Sequence, residues 1–200
     1  AEALSELVGH IVDNEPEAAR VTYKQIEATY PIYVTRNLAA ARGWLRSKAR
    51  GTERFGLVAS SGAQRLRPEG IHIKAALEPV NWFLNDRADV RSSYYLEDVA
   101  SEFAVQGLEL DWVGACWDGD FYHKNGIWAY QAFEGTKWRS MVDESRRLYL
   151  KNAYRVILTR ARQGMILFVP EGDLSDHTRP PSFYDGTFEF LRFCGIPEVA

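Results

Sequence analysis

Residues 152–170, NAYRVILTRARQGMILFVP, constrain this chain most, because a helix-period pattern runs there directly into a strand-length apolar run. Leu150, Ala153, Tyr154, Ile157 and Ala161 fall on one helical stripe, and residues 165–169 are continuously apolar. Gly164 lies between the two patterns and is expected to adopt the left-handed conformation that ends a helix. The expectation is a helix that delivers Arg160 and Arg162 to a turn, followed by a buried strand. Taken alone, two arginines at a helix C-terminus are solvated surface cations that the helix dipole favours.

The rest of the chain repeats strand and helix patterns. Residues 1–12 read as an amphipathic helix with Leu4, Leu7, Val8, Ile11 and Val12 on one side, broken at Asn14-Glu15-Pro16. Residues 24–29 read as a turn or short helix, and Tyr30-Pro31 marks a boundary. Residues 32–35 form a short β-type run. Asn37 caps a helix over 38–50 that stops at Gly51-Thr52, and 55–59 is a second apolar strand. Strand, helix, strand implies a parallel pair with a right-handed crossover. Residues 64–85 have weak periodicity and include the turn-rich basic loop RLRPEG, with Trp82, Phe83 and Leu84 as core candidates rather than an aromatic platform for bases. Residues 94–99 and 112–117 are further strand candidates. Over 119–142, Lys124-Asn125-Gly126 signals a β-hairpin insertion. Asp143 starts the helix that leads to Arg160, 171–181 is loop, and 187–193 is a terminal helix.

Five strand candidates with helices between them fit an α/β fold: a three-layer RecA-like or Rossmann-like domain with a mostly parallel sheet and a hairpin insertion. Its parts would be a helical lead-in (1–29), the insertion (119–142) and a C-terminal tail (172–200). Two hundred residues suit one such domain, and 46% hydrophobic residues argue against disorder. The net charge of -3 gives no global basic signature for nucleic acid, although arginines can cluster locally. Cys116 and Cys194 make neither a disulfide framework nor a CxxC site, so a reducing, cytoplasmic setting is the default. No apolar run reaches membrane-spanning length, and no membrane partner is expected. The chain opens without methionine inside a helix-like pattern, and it reads as a piece of a longer protein.

Two segments then resemble a known family. SEFAVQGLE (101–109) looks like helicase motif V, which centres on Gln-Gly-x-Glu before an apolar strand. VILTRAR (156–162) looks like motif VI, with its Thr-Arg-Ala-Arg. Both are features of superfamily-one helicases of the UvrD/RecD kind. YPIYVTR, RFGLVASSGAQRLRPEGI, EFAVQGLELDWVGACWDGD and YRVILTRARQGMILFVPEGD resemble the Schlafen group-three-like DNA/RNA helicase family over about residues 30–175. The resemblance implies the second, C-terminal RecA-like motor domain of a helicase in the P-loop NTPase superfamily. It makes Arg160 the catalytic arginine finger. It places Gln106, Gly107, Glu109 and Arg162 at a nucleotide, with Glu109 accepting from a ribose hydroxyl. Ser101, Ser60, Arg65 and Arg67 would contact a DNA or RNA single strand. A planar guanidinium suits the spread negative charge of a transferring phosphoryl group. The chain departs from the pattern where Arg155 replaces the motif VI tyrosine and Phe103 stands in place of a frequent histidine.

The sequence contains no GxxxxGK[ST], and hence no phosphate cradle or Walker lysine. The resemblance therefore implies that ATP and Mg²⁺ are bound in a two-domain protein whose preceding P-loop domain is the partner of this one. It also implies that the isolated chain hydrolyses no ATP and holds no cofactor or metal. Two other classes stay open on the residues alone. Glu109, Asp111, Asp118 and Asp120 cluster around one strand and suit a metal-dependent nuclease. Arg65, Arg67, Arg155, Arg160 and Arg162 suit the basic face of a non-catalytic nucleic-acid- or protein-binding module. His10, His72, His123 and His177 lack metal-ligand spacing.

Overall fold

A computed structural model describes residues 1–73 and 79–199; part of the weakly periodic 64–85 stretch and the last residue of the 172–200 tail lie outside them. The chain opens with α1 (Glu2–Val12), whose Leu4, Leu7, Val8, Ile11 and Val12 are all buried as its stripe requires. Asn14 turns left-handed at φ 62° and Pro16 starts α2 (Pro16–Ile26). This second helix is longer than the turn expected over 24–29, because proline suits the first helical position. Next come β1 (Ile32–Thr35), α3 (Leu38–Lys48) and β2 (Phe55–Ala59). Asn37 caps α3 as expected, its Oδ1 accepting from Ala40 N at 2.9 Å. A short α4 (Pro79–Leu84) and α5 (Glu102–Val105) precede β3 (Leu110–Cys116).

The insertion is β4 (Phe121–Lys124), β5 (Ile127–Glu134) and β6 (Lys137–Ser140), an antiparallel meander with one strand more than the expected hairpin. Its first turn is Asn125-Gly126, with φ 52° and 80° between the paired Lys124 and Ile127. Two left-handed residues in succession match the twist of the flanking strands. The chain then enters α6 (Glu144–Ile157), where Asp143 Oδ1 accepts from Ser145 N and Arg146 N. It ends with β7 (Ala161–Phe168) and α7 (Asp185–Phe193).

The parallel sheet has the order β1-β7-β3-β2. Three sequence expectations change here. β1 and β2 are parallel but are not partners, since β7 and β3 lie between them; local pattern specifies direction, not which strand becomes the neighbour. Residues 94–99 are not a strand. Ser93–Tyr95 form a 3-10 turn, Leu96 is left-handed at φ 58°, and Val99 and Ala100 make single bridges, Ala100 to β2. Finally, α6 ends at Ile157, before both arginines, and Gly164 lies inside β7. A Cβ on Gly164 would stand 2.6 Å from Pro31 O and 2.8 Å from the Trp112 ring, so this glycine permits close strand packing and does not end a helix.

Two apolar layers sandwich the sheet. On one face Val34, Val58, Val113, Met165 and Leu167 pack with α1, α6 and α7; on the other Leu57, Trp112, Ile166 and Phe168 pack with α3 and Leu66. The lead-in and tail helices thus share one core with the sheet. Ala100 hydrogen-bonds the outer edge of β2, and residues 197–199 hydrogen-bond that of β1. Cys116 and Cys194 are free and buried, and burial pushes both thiols up to about 12. Among the described residues no helix is long and apolar enough to cross a membrane.

Candidate functional site

Because the four strands are parallel, every strand starts at one edge of the sheet, and the two motif segments meet there. Leu110 N donates to Arg160 O at 3.0 Å, which sets 106–109 beside 158–160 just ahead of β3 and β7. Thr159 Oγ1 donates to Arg155 O (2.8 Å) and Val156 O (3.1 Å), satisfying carbonyls that the end of α6 leaves open. The Arg160 guanidinium folds back over this turn. Its Nε donates to Val156 O (3.1 Å), Nη1 to Leu108 O (3.4 Å) and Nη2 to Thr159 Oγ1 (3.3 Å). All three acceptors are neutral oxygens, so its charge is uncompensated by any of them. Arg162 is instead paired with Glu109, Nε to Oε2 at 3.0 Å, with both side chains more than half exposed. Gln106, Gly107, Leu108 and Glu109 form an exposed loop, with Gly107 at φ 80°.

The strand-contact residues expected from the resemblance lie at the opposite, carboxyl edge. Arg67 is exposed and Ser101 is largely buried at the start of α5. Ser60 does not reach the surface: it is 1% exposed, and its hydroxyl donates to Asp120 Oδ2 at 2.8 Å. Arg65 is held within the fold, Nε to Thr178 Oγ1 (2.9 Å), Nη2 to Asp176 (3.2 Å), with its guanidinium 5.4 Å from the Phe133 ring centroid.

Beneath these residues lies a buried carboxylate cluster. Asp118 and Asp120 follow β3 and are 0% and 1% exposed. Asp118 accepts from Tyr184 OH (2.8 Å), Arg65 N (2.9 Å) and Gly119 N. Asp120 accepts from Tyr154 OH at 2.5 Å and from Ser60. Burial pushes both acids up, and the charge of Asp118 pushes Asp120 further, to about 7. Two carboxylates in one buried site resist joint ionisation. Asp118 has more donors and lies near Arg179, so it is the better holder of the charge. Alongside, buried Glu102 grips the turn after β2 through Ser61 N (2.8 Å) and Ser61 Oγ (2.6 Å), and accepts from Tyr149 OH (3.4 Å). The sequence reading missed Glu102, Tyr184 and Arg179, and saw Tyr154 only as a core residue. The available signal was a tyrosine on an apolar stripe, whose hydroxyl requires a partner when buried.

The geometry separates residues that the two competing classes needed together. Glu109 and Asp111 sit at the start of β3, and Asp118 and Asp120 past its end. A strand of this length spans about 20 Å, so the four cannot share an ion. Asp111 is used structurally, its Oδ2 accepting from Arg54 N at 2.7 Å. Among the described residues no group of three or more His, Cys, Asp or Glu could hold a metal. The five arginines proposed as a basic face are likewise dispersed: Arg155 pairs with Asp13 on the α1 side, Arg65 lies at one sheet edge and Arg160 and Arg162 at the other.

Comparison with known proteins bears on the same elements. The family described as Schlafen group 3, DNA/RNA helicase domain, matches residues 1–171. The chain belongs to that family. The match covers both edges of the sheet, the insertion, α6 and β7, and stops before α7, which nevertheless packs into the shared core. A helicase-related role follows from membership. No curated protein and no solved structure matches the chain.

Proposed function

We propose that this helicase-family domain is the second motor domain of a superfamily-one DNA/RNA helicase. It supplies Arg160, Gln106, Gly107 and Glu109 to an ATP site completed by a P-loop domain of the same parent protein. One observation supports this reading above the others: among the described residues, Arg160 is anchored only by neutral oxygens, directly beside the exposed Gln106–Glu109 loop. A guanidinium held in place, with no carboxylate to neutralise it, suits the charge that develops on a transferring phosphoryl group. The exposed Glu109–Arg162 pair is weak enough to exchange for ligand contacts. Bound Mg²⁺ would supply charge neutralisation of the phosphate oxygens in such a site, while this chain's part is to orient the ribose through Glu109 and to hold Arg160 ready. The carboxyl edge, with Ser101 and Arg67, faces the single strand in this reading.

The test is ATP hydrolysis by the parent protein with single-stranded nucleic acid present. Arg160→Ala is expected to slow turnover by at least about 10³-fold while strand binding persists. An unchanged rate overturns the assignment. The isolated chain is expected to show no ATPase, and Arg160-dependent hydrolysis by it alone would refute a shared site.

A further inference from the structure

A cavity of about 360 Å³, lined by Arg46, Phe55, Arg87 and Tyr94, opens where the last turn of α3 meets the start of β2. That volume lies in the range of small-ligand sites. Phe55 and Tyr94 meet edge to face at 5.2 Å and 77°. The Arg87 guanidinium lies 5.0 Å from the Tyr94 ring centroid and 6.0 Å from that of Phe55. Tyr94 is itself fixed, its hydroxyl donating to Thr52 O at 3.2 Å. Arg54 lies 5.1 Å from the Tyr94 ring centroid, pinned by Nη1 to Asn85 O (3.0 Å) and Nη2 to Leu84 O (2.9 Å). The wall is therefore built before any ligand arrives.

The charge at this cavity differs from that of the arginines held in ion pairs. Arg36, Arg65, Arg162 and Arg179 are each paired with a carboxylate. Among the described residues neither Arg46 nor Arg87 has a carboxylate within ion-pair distance. Two uncompensated planar cations attract an anion, and their forked donors match phosphate oxygens. The flat faces of a guanidinium and a tyrosine accept a heteroaromatic ring.

We propose that Arg46, Phe55, Arg87 and Tyr94 bind one nucleotide unit, with its phosphate between the two guanidiniums and its base against the Arg87–Tyr94 wall. The unit is either a free mononucleotide or one residue of a single strand. The pocket stands on the outermost strand β2, against α3, and uses none of the residues of the proposed ATP site, so it does not depend on that assignment.

Calorimetric titration of the chain at low salt with AMP, with a ten-residue oligothymidylate and with inorganic phosphate tests this. Binding of AMP that weakens at least tenfold in Arg46→Ala/Arg87→Ala, and not in the surface control Arg139→Ala, establishes the free-nucleotide form. The same loss seen with the oligonucleotide alone, with a shallower salt dependence in the double variant, establishes the strand form. Both arginines face solvent, so circular dichroism and the melting temperature are expected to be unchanged. Arg46→Lys/Arg87→Lys, which keeps charge but loses the fork, is expected to recover binding only in part. No binding of either nucleotide probe, binding that the double variant leaves within twofold, or equal affinity for phosphate and AMP overturns the proposal.

Discussion

The two edges of the parallel sheet are built on opposite principles. At the amino edge, Arg162 and Glu109 are exposed, and the half-buried Arg160 is anchored, among the described residues, by neutral oxygens alone. At the carboxyl edge, Asp118, Asp120, Ser60 and Tyr154 are buried and knitted together, with Tyr154 joining α6 to the end of β3. The first arrangement leaves charge available to something outside the domain. The second consumes it internally. Exposed pairs contribute little to folding, whereas a buried polar network is costly to leave half satisfied. The amino edge should therefore carry ATP turnover without much stability, and the buried cluster of the carboxyl edge should carry stability.

The largest expected effect sharpens that contrast at the active edge. Arg160→Ala in the parent protein should reduce ATP turnover by about 10³-fold or more, yet leave the urea midpoint of this domain nearly unchanged. A large loss of stability would mean that Arg160 serves mainly to hold the end of α6. At the other edge, Tyr154→Phe removes the donor to Asp120 and the acceptor for Asp118 N. It should cost about 1–3 kcal/mol in chemical denaturation. A neutral result would break the claim that this edge is structural.

The same edge should respond to pH. Asp120 has its pKa raised from 3.8 to about 7, first by burial and then by Asp118, and Asp118 is raised as well. Between those values the folded state binds more protons than the unfolded one. Stability from this pair is therefore fully present below about 4 and is lost as pH rises through about 7. Melting temperatures measured from pH 5 to 8 should fall along this course, and Asp120→Asn should flatten the slope. A slope that persists in Asp120→Asn would place its origin elsewhere. The smallest expected effect returns to the amino edge: Glu109→Gln should change stability by no more than about 0.5 kcal/mol, while raising KM for ATP in the parent protein.

Much of this was legible in residue order. The stripe of α1, the Asn37 cap, the runs that became β1, β2 and β3, and the Asn125-Gly126 turn depend on neighbours within a few positions, and periodicity and turn chemistry report those directly. Gly164 was misleading for the same reason. A glycine between a helix pattern and an apolar run resembles a helix terminus, and only the approach of Pro31 and Trp112 shows why it is needed inside a strand. Residues 94–99 were apolar enough for a strand, but Leu96 turns left-handed and the segment reaches β2 only at Ala100.

The sequence by itself determined the α/β pattern and the two segments that carry Arg160 and Glu109, because local spacing and residue type suffice for both. Tertiary structure alone decided that β7 and β3 separate β1 from β2, since strand order is a choice among distant partners. It also decided that the four acidic residues near β3 divide between its two ends. Glu109 stays at the surface paired with Arg162, Asp111 accepts from Arg54 N, and Asp118 and Asp120 are drawn under α6 and α7, where Tyr154 and Tyr184 meet them. Spacing along one strand does not reveal which end a fold will bury. That depends on where α6 and α7, 24 or more residues further along the chain, come to rest.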